Sequence, residues 1–536
     1  MPETAAPADA SDVVDRADRR TARRDARRQR VGHPVLPLWA ALVVAAVAGP
    51  VLDAAYPSLG IWPVAFLGIG LSLLPLIGRG AWAALLVGFV FGTSFFLVHI
   101  MWITRYLGPI PWFALALLEA ALVAAGSVLI SLAYRWLPRV VPGRWGRLVA
   151  LPLLVGGLWT ARELFQGSWP YTGFPWARIG MSQSESPLAH LVSWVGVSGL
   201  SFLMVAVTSA AIEVVRVHRT FGFRPVSLVP VAVGLVVLFA VPQFPTSDAG
   251  AMRVGSVQGN GPTGYFDDRT PNAVIQAQLH ATAPVLKDRV DLLLWPEGGI
   301  DSDPLNNDTT ARVLSRLSTR IDAPLLVNAA TTRGDDIFNT SMLWDGDAGA
   351  VQLHDKRNPV PFGEYVPDRA FYEAIVPDLI GLIGREYTPG TNPPYMNVDG
   401  VGVGLAICFD VIYDSVIWEG ASDGAEVFMF QTNNADFRGT DENLQQLAFA
   451  RMRAVETGRS VVNISTVGTS QVISPDGATL DQLPAAEAGA MITDVPLRTG
   501  LTPAVLFGST IQLVLFADSL LTLGVAGLIA RVRRRA

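Results

Sequence analysis

Residues 403–410 read Val-Gly-Leu-Ala-Ile-Cys-Phe-Asp, an apolar run that ends on Cys408, the one cysteine in the chain. A short aliphatic run bounded by glycine and aspartate fits a buried strand. A reactive group at the end of such a strand stands where open α/β sheets place their ligands. Working outward, strand-like runs fall at Met252–Val257, Val290–Trp295, Pro324–Asn328, Thr340–Trp344, Val401–Phe409, Val427–Thr432 and Ser460–Thr466. Helical patterns lie between several of them, over Pro271–Leu286, Thr309–Leu317 and Asn443–Thr457, the last with apolar residues at Leu444, Leu447, Ala448, Met452 and Val455. Residues 245–500 therefore read as one α/β domain with a core of its own.

A lone cysteine has no intramolecular disulfide partner, so Cys408 is either an inert buried hydrophobe or a reactive thiol. Two further groups precede it in scarce or well-placed positions: Glu297 in Trp295-Pro296-Glu297 and Lys356 in His354-Asp355-Lys356. Lys356 and Lys287 are the only lysines in a chain whose other basic residues are arginine. A lysine at 356 thus reads as selected for its compact, tunable ammonium.

Half of the residues are hydrophobic, and they are bunched into long runs, the mark of an integral membrane protein with a soluble part. Runs long enough for a span lie near Leu38–Ala54, Trp62–Ile77, Ala81–Ile103, Trp112–Leu137, Leu148–Phe165, Leu188–Val215, Val226–Val241 and Val505–Ala530. That predicts about eight spans, seven before the polar segment and one after it. The expected division is an arginine-rich tail over 1–35, a seven-span region over 36–244, the α/β domain over 245–500, and a last helix with a basic end over 501–536. Loop charge sets the orientation. Eight arginines between Arg16 and Arg30, then Arg79, then Arg139, Arg144 and Arg147, then Arg216, Arg219 and Arg224, and finally Arg531 to Arg535 fall on one side. The intervening loops carry only Arg105 and Arg178. The positive-inside rule then puts both termini in the cytoplasm and the domain outside. The tail reads as a disordered arm that helps to set topology, with no cleaved signal peptide. The domain has a net charge of about −17 by residue count, which makes nucleic acid an unsuited partner.

These residues carry a resemblance. Trp295-Pro296-Glu297, then Lys356 with Val360-Pro361-Phe362-Gly363-Glu364, then Ile407-Cys408-Phe409-Asp410, then Thr432-Asn433-Asn434-Ala435, resemble the nitrilase superfamily with its Glu-Lys-Cys triad. With the spans added, the chain is similar to the apolipoprotein N-acyltransferases from about Pro37 to Ala530. Thr172-Gly173-Phe174-Pro175-Trp176, Gln258-Gly259-Asn260 and Ala450-Arg451-Met452-Arg453-Ala454 are further points of likeness. The resemblance implies an α-helical transmembrane bundle of about eight spans carrying an extracytoplasmic nitrilase-like αββα sandwich, in a bacterial plasma membrane.

It also implies the chemistry. Glu297 would take the thiol proton of Cys408, and Lys356 with the backbone N–H of Phe409 would hold the oxyanion. The acyl donor would be a membrane phospholipid and the acceptor the amine of S-diacylglyceryl-cysteine on an apolipoprotein, in a ping-pong reaction through a thioester. No metal and no cofactor are implied. Glu364 would support Lys356, with pairing to Arg357 as the rival reading. Tyr265 and Asn433 would line the pocket. The family often has Tyr-Glu after the cysteine, where this chain has Phe409 and Asp410, and Asp436 stands where many relatives have tryptophan. Residues 369–387 read either as an apolar patch that dips into lipid or as an ordinary buried helix. Trp169, Tyr171, Phe174 and Trp176 read as an interfacial aromatic belt or as packing against the domain. Two rival functions use the same features: a membrane-anchored nitrilase-type amidase, with water as acceptor, and a non-catalytic membrane scaffold for a polyprenol-phosphate mannosyltransferase.

Overall fold

The computed structural model of the protein describes residues 33–535. The arm expected over 1–35 lies outside them as far as residue 32. All eight apolar runs are helical: α1 (Leu38–Asp53), α2 (Val64–Leu73), α3 (Ala81–His99), α4 (Pro109–Val140), α5 (Leu151–Gln166), α6 (Val192–Phe221), α7 (Val229–Ala240) and, at the C-terminal end, Pro503–Arg535. Five of the apolar segments are long enough to cross a membrane, namely Ala81–His99, Pro109–Val140, Gly146–Gln166, Pro187–Phe221 and Pro503–Arg533. The other three, Leu38–Asp53, Val64–Leu76 and Pro225–Ala240, are apolar but shorter. Proline marks their ends, with Pro75 in the tight turn after α2 and Pro225 in the turn before α7. Small residues let the helices close up. A Cβ on Gly88 or Gly92 of α3 would lie within 3 Å of Ser127 or Ala120 of α4, so both positions require glycine.

The domain between α7 and the last helix holds twelve strands in two six-stranded sheets. The first comprises β1 (Ser247–Gln258), β2 (Leu292–Leu294), β3 (Leu325–Arg333), β4 (Asp336–Asp345), β5 (Gly349–Asp355) and, returning from the far end of the domain, β12 (Gly489–Thr499), in the order β12-β1-β2-β3-β4-β5. The second comprises β6 (Tyr395–Val398), β7 (Val401–Ile407), β8 (Val427–Thr432), β9 (Ser460–Ser465), β10 (Ser470–Ile473) and β11 (Thr479–Leu483), in the order β11-β10-β9-β8-β7-β6. In each sheet the central strands are parallel (β1-β2-β3 and β7-β8-β9) and the flanking strands antiparallel. β12, absent from the sequence reading, contains Pro496 and runs along the outer edge of its sheet, where a missing N–H is tolerated.

Alternation sorts each strand between two cores. Val427 and Met429 of β8 meet Met252, Val254 and Leu294 of the first sheet between the layers. Phe428 and Phe430 point the other way. Helices α8 (Ala273–Ala281) and α9 (Asp308–Ile321) cover the first sheet. Between β5 and β6 lie two short helices, α10 (Arg369–Ile375) and α11 (Pro377–Ile380). Helices α12 (Asp414–Ser422) and α13 (Glu442–Thr457) cover the second sheet, and their outer side joins the bundle, including the last helix α14 (Pro503–Arg535), in one continuous core. The layers are therefore helix, sheet, sheet, helix, with the fourth layer clamped against the bundle.

Polar contacts fix that clamp. The Asp414 side chain of α12 is 9% exposed; it pairs with Arg178 of the α5–α6 connection at 2.6 Å and Arg453 of α13 at 2.7 Å, and accepts from Gln512 of α14 at 2.5 Å. Burial opposes its charge, yet the two guanidinium groups outweigh it and hold the carboxyl well below the usual carboxylate range. Its contribution to stability is therefore complete above the ordinary carboxyl pKa and is lost as pH falls through the depressed folded value. Asp414→Ala leaves the buried Arg178 without an ion-pair partner and Arg453 with Glu456 alone, at 2.6 Å, and is expected to cost about 3–5 kcal/mol. The check is the midpoint of thermal unfolding in detergent, and an unchanged midpoint would refute the clamp.

Candidate active site

Glu297 follows β2, Lys356 follows β5 and Cys408 follows β7, so strands of both sheets deliver the three groups to one end of the sandwich. All three line a single cavity of about 590 Å³. Cys408 has φ +49°, a left-handed conformation that is strained for a residue with a Cβ. It begins a 3-10 turn, Cys408–Ile412, that turns the chain out of the sheet and presents the thiol to the cavity. The Lys356 ammonium is 1% exposed and contacts two carboxylates, Glu297 Oε1 at 3.1 Å and Glu364 Oε2 at 2.8 Å. Arg357, the alternative partner considered for Glu364, pairs with Glu419 instead. Asn339 donates to both Glu297 at 2.8 Å and Glu364 at 3.1 Å, and itself accepts from Asn328 at 2.9 Å. The two carboxylates are thus held by one amide and one ammonium.

Burial sets the protonation states. It pushes the Cys408 thiol well above its ordinary pKa, Glu297 adding to the effect and Lys356 opposing it. It raises Glu297 as well, against the pull of Lys356. For Lys356 burial works against the charge, but Glu297 and Glu364 prevail and hold the ammonium well above the ordinary lysine value. At neutral pH the resting thiol therefore keeps its proton beside a fixed cation. His354, two residues before the lysine, is buried away from this chemistry. Its Nδ1 is 3.0 Å from the Pro393 carbonyl, and burial pushes its pKa down to about 4.

The supporting residues divide by what they touch. Asp410 is fully buried and accepts from the backbone N–H of Arg357 at 3.1 Å and of Asn358 at 2.8 Å, which ties the cysteine turn to the loop carrying Lys356. Phe409 lines the cavity and stacks on Phe174 and Trp176. Asn433 also lines it, although its side chain is engaged with Thr263, Ala435 and Thr466. Tyr265 lines it, and its hydroxyl accepts from the Gly384 N–H at 2.8 Å. Asp436 accepts from the Tyr265 N–H at 2.6 Å. Trp176 is buried against α13, whereas Trp169 stays exposed, so the aromatic loop divides between packing and surface. Residues 369–383 divide likewise: Ile380 and Ile383 are buried with Val366, while Phe371, Ile375 and Leu382 are exposed.

Sequence reading missed the polar chain on α13. Gln446 Nε2 donates to Cys408 Sγ at 3.4 Å, and its Oε1 accepts from Asn434 Nδ2 at 2.8 Å. Asn434 Nδ2 also donates to Glu442 at 2.7 Å, and burial raises that carboxyl to about 8. The neighbouring Gln445 faces the bundle, where its Oε1 accepts from Trp102 and Trp176 and its Nε2 donates to the His99 carbonyl. Two consecutive glutamines thus join the thiol to the membrane helices. Their position one turn before Ala450-Arg451-Met452 was the only available signal.

Comparison with known proteins agrees with both halves of the chain. The apolipoprotein N-acyltransferase N-terminal domain profile matches residues 48–210, and the carbon-nitrogen hydrolase profile matches 253–500. An apolipoprotein N-acyltransferase of Mycolicibacterium smegmatis is 30% identical over 91% of this chain and 85% of its own length. One from Azotobacter vinelandii is 28% identical over 87% of this chain and 91% of its own. Among solved structures, an amidase from Nesterenkonia sp. aligns with 47% of this chain and 93% of its own at 20% identity and a TM-score of 0.36.

Proposed function

The chain belongs to the apolipoprotein N-acyltransferase family, and on that premise we propose that it transfers a fatty acyl group from a membrane phospholipid, through a thioester on Cys408, to the N-terminal amine of an S-diacylglyceryl-cysteine apolipoprotein. The observation that carries this reading is the reach of the cavity. From Glu297, Lys356 and Cys408 it extends to Ile110, Ala114, Leu115 and Leu118 of α4. A path from a thiol to the apolar side of a bundle helix suits an acyl chain. An amidase acting on a small soluble amide has no use for it, and a scaffold has no use for a buried ammonium shared by two carboxylates.

The steps follow from the side chains. Cys408 Sγ attacks the acyl ester carbonyl while Glu297 takes the thiol proton, and the ammonium of Lys356 with the Phe409 N–H meets the charge developing on oxygen. Collapse breaks the ester C–O bond. The lysophospholipid leaves as an alcohol with the proton from Glu297, and the acyl group remains on sulfur. The amine of the apolipoprotein then attacks the thioester, Glu297 takes the amine proton and returns it to the leaving sulfur, and the amide departs. Exclusion of water by the apolar lining favours aminolysis over hydrolysis. Glu364 and Asn339 keep Lys356 and Glu297 in register. Gln446 donates to sulfur when it carries charge.

In the membrane we place eight spans, both termini on the cytoplasmic side and the domain outside, the arrangement that the arginine-bearing loops favour. The exposed Phe371, Ile375 and Leu382 then dip into the outer leaflet beside the mouth of the cavity. The test is capture of the thioester: full-length protein incubated with labelled phospholipid is expected to gain one acyl group on Cys408 by mass spectrometry. Glu297→Gln should slow formation of this adduct by at least about 100-fold, the usual contribution of a positioned base. Adduct formation at the wild-type rate in that variant would remove Glu297 from the role of base.

A further inference from the structure

The cavity is lined by five carboxylate side chains, Glu119, Glu297, Glu364, Asp436 and Glu442, and by two cations, Lys356 and Arg385. Lys356 is paired with Glu297 and Glu364, and its remaining N–H serves the oxyanion in the reading above. Arg385 is half-buried, and among the described residues its guanidinium has no ion-pair partner and no hydrogen bond. It lies over aromatic rings instead, 4.8 Å from the centroid of Tyr265 and 5.9 Å from that of Tyr387. Such stacking orients the guanidinium and leaves its planar fork of donors open.

The backbone on either side is anchored to the site. The Gly384 N–H donates to the Tyr265 hydroxyl at 2.8 Å, and the Tyr387 N–H donates to the carbonyl of Glu364, the lysine's partner, at 2.9 Å. Asp436 is the acid nearest in influence, since the charge of Arg385 acts on its carboxyl. That carboxylate is bonded to the Tyr265 N–H and forms no ion pair with Arg385. An oriented guanidinium without a counter-ion, in a cavity whose other cation is taken, is a site for an anion. Its five N–H groups match phosphate oxygens in paired geometry.

We infer that Arg385 is the phosphate anchor of the acyl donor: its guanidinium binds the phosphodiester of a glycerophospholipid and so sets the ester carbonyl against Cys408. This inference rests on the acyl-transfer reading above and names the part of the donor that the site grips. The acceptor half of the reaction needs no such contact, because the phosphate leaves with the lysophospholipid.

The test is single-turnover acylation of Cys408 in the full-length protein in detergent micelles, followed by mass spectrometry. The three donors carry the same acyl chains: phosphatidylglycerol, phosphatidylethanolamine and diacylglycerol, the last without phosphate. For wild type, both phospholipids are expected to react faster than diacylglycerol. In Arg385→Gln the ratio of phospholipid rate to diacylglycerol rate should fall about 10- to 100-fold, in the range set by loss of a charge-assisted hydrogen bond pair. Arg385→Lys should recover part of the ratio. A loss common to all three donors would make Arg385 a support for the 369–387 segment and overturn the inference, as would an unchanged ratio. Either result would leave the acyl-transfer reading standing, provided wild type still forms the adduct. If wild type forms none from either phospholipid, both fall.

Discussion

Cys408→Ala is expected to form no acyl-enzyme and to transfer no acyl group, with folding retained. The sulfur is the only thiol in the chain, so no second residue can carry the acyl group. Its removal deletes one partner of a single weak contact, the 3.4 Å hydrogen bond from Gln446. The Asn434 bond to Gln446 keeps that amide satisfied at its other end. Alanine also retains the Cβ, so the left-handed backbone at 408 is neither relieved nor worsened. The measurement is transfer of labelled acyl chain to a diacylglyceryl lipopeptide, with the unfolding midpoint as control. Near-normal transfer by the alanine variant would end the covalent mechanism.

Lys356→Met is expected to be nearly as severe, and for two reasons. Loss of an oxyanion donor costs about 100- to 1000-fold by itself. In this site the same ammonium also opposes the rise that burial imposes on Glu297. Without it the Glu297 carboxyl, already raised by burial, rises further, so less of it is available as a base and the loss adds to that of the oxyanion donor. Single-turnover acylation should therefore fall by more than the oxyanion factor alone, and should recover in part as pH is raised and Glu297 ionises. Phospholipid binding should change much less, because the oxyanion exists only along the reaction path. Lys356→Arg should not restore the rate, since a planar fork misplaces the charge where a side chain 1% exposed sets a point cation between two carboxylates. Acylation within a few-fold of wild type in the methionine variant would make the lysine structural.

The sequence by itself determined the division into apolar runs and a polar α/β segment and seven of the twelve strands, and it singled out Glu297, Lys356 and Cys408, which share one cavity. These are legible because they are local: strand and helix periods repeat within a few residues, and a lone cysteine or one of two lysines stands out by composition alone. Only the tertiary structure decided the rest. It assigned Glu364 to Lys356 and Arg357 to Glu419, a choice between two cations for Glu364 that no spacing could make. It brought Gln446 to the thiol and Asn339 to both carboxylates, and gave Asp410 the work of tying two loops together. It set Gln445 against Trp102, 343 residues away in the chain, and brought Trp102 into the wall of the same cavity as Cys408. Such contacts depend on which strand ends meet across two sheets and which helix face lies on the membrane side. Chain folding sets those distances, and no period in the sequence records them.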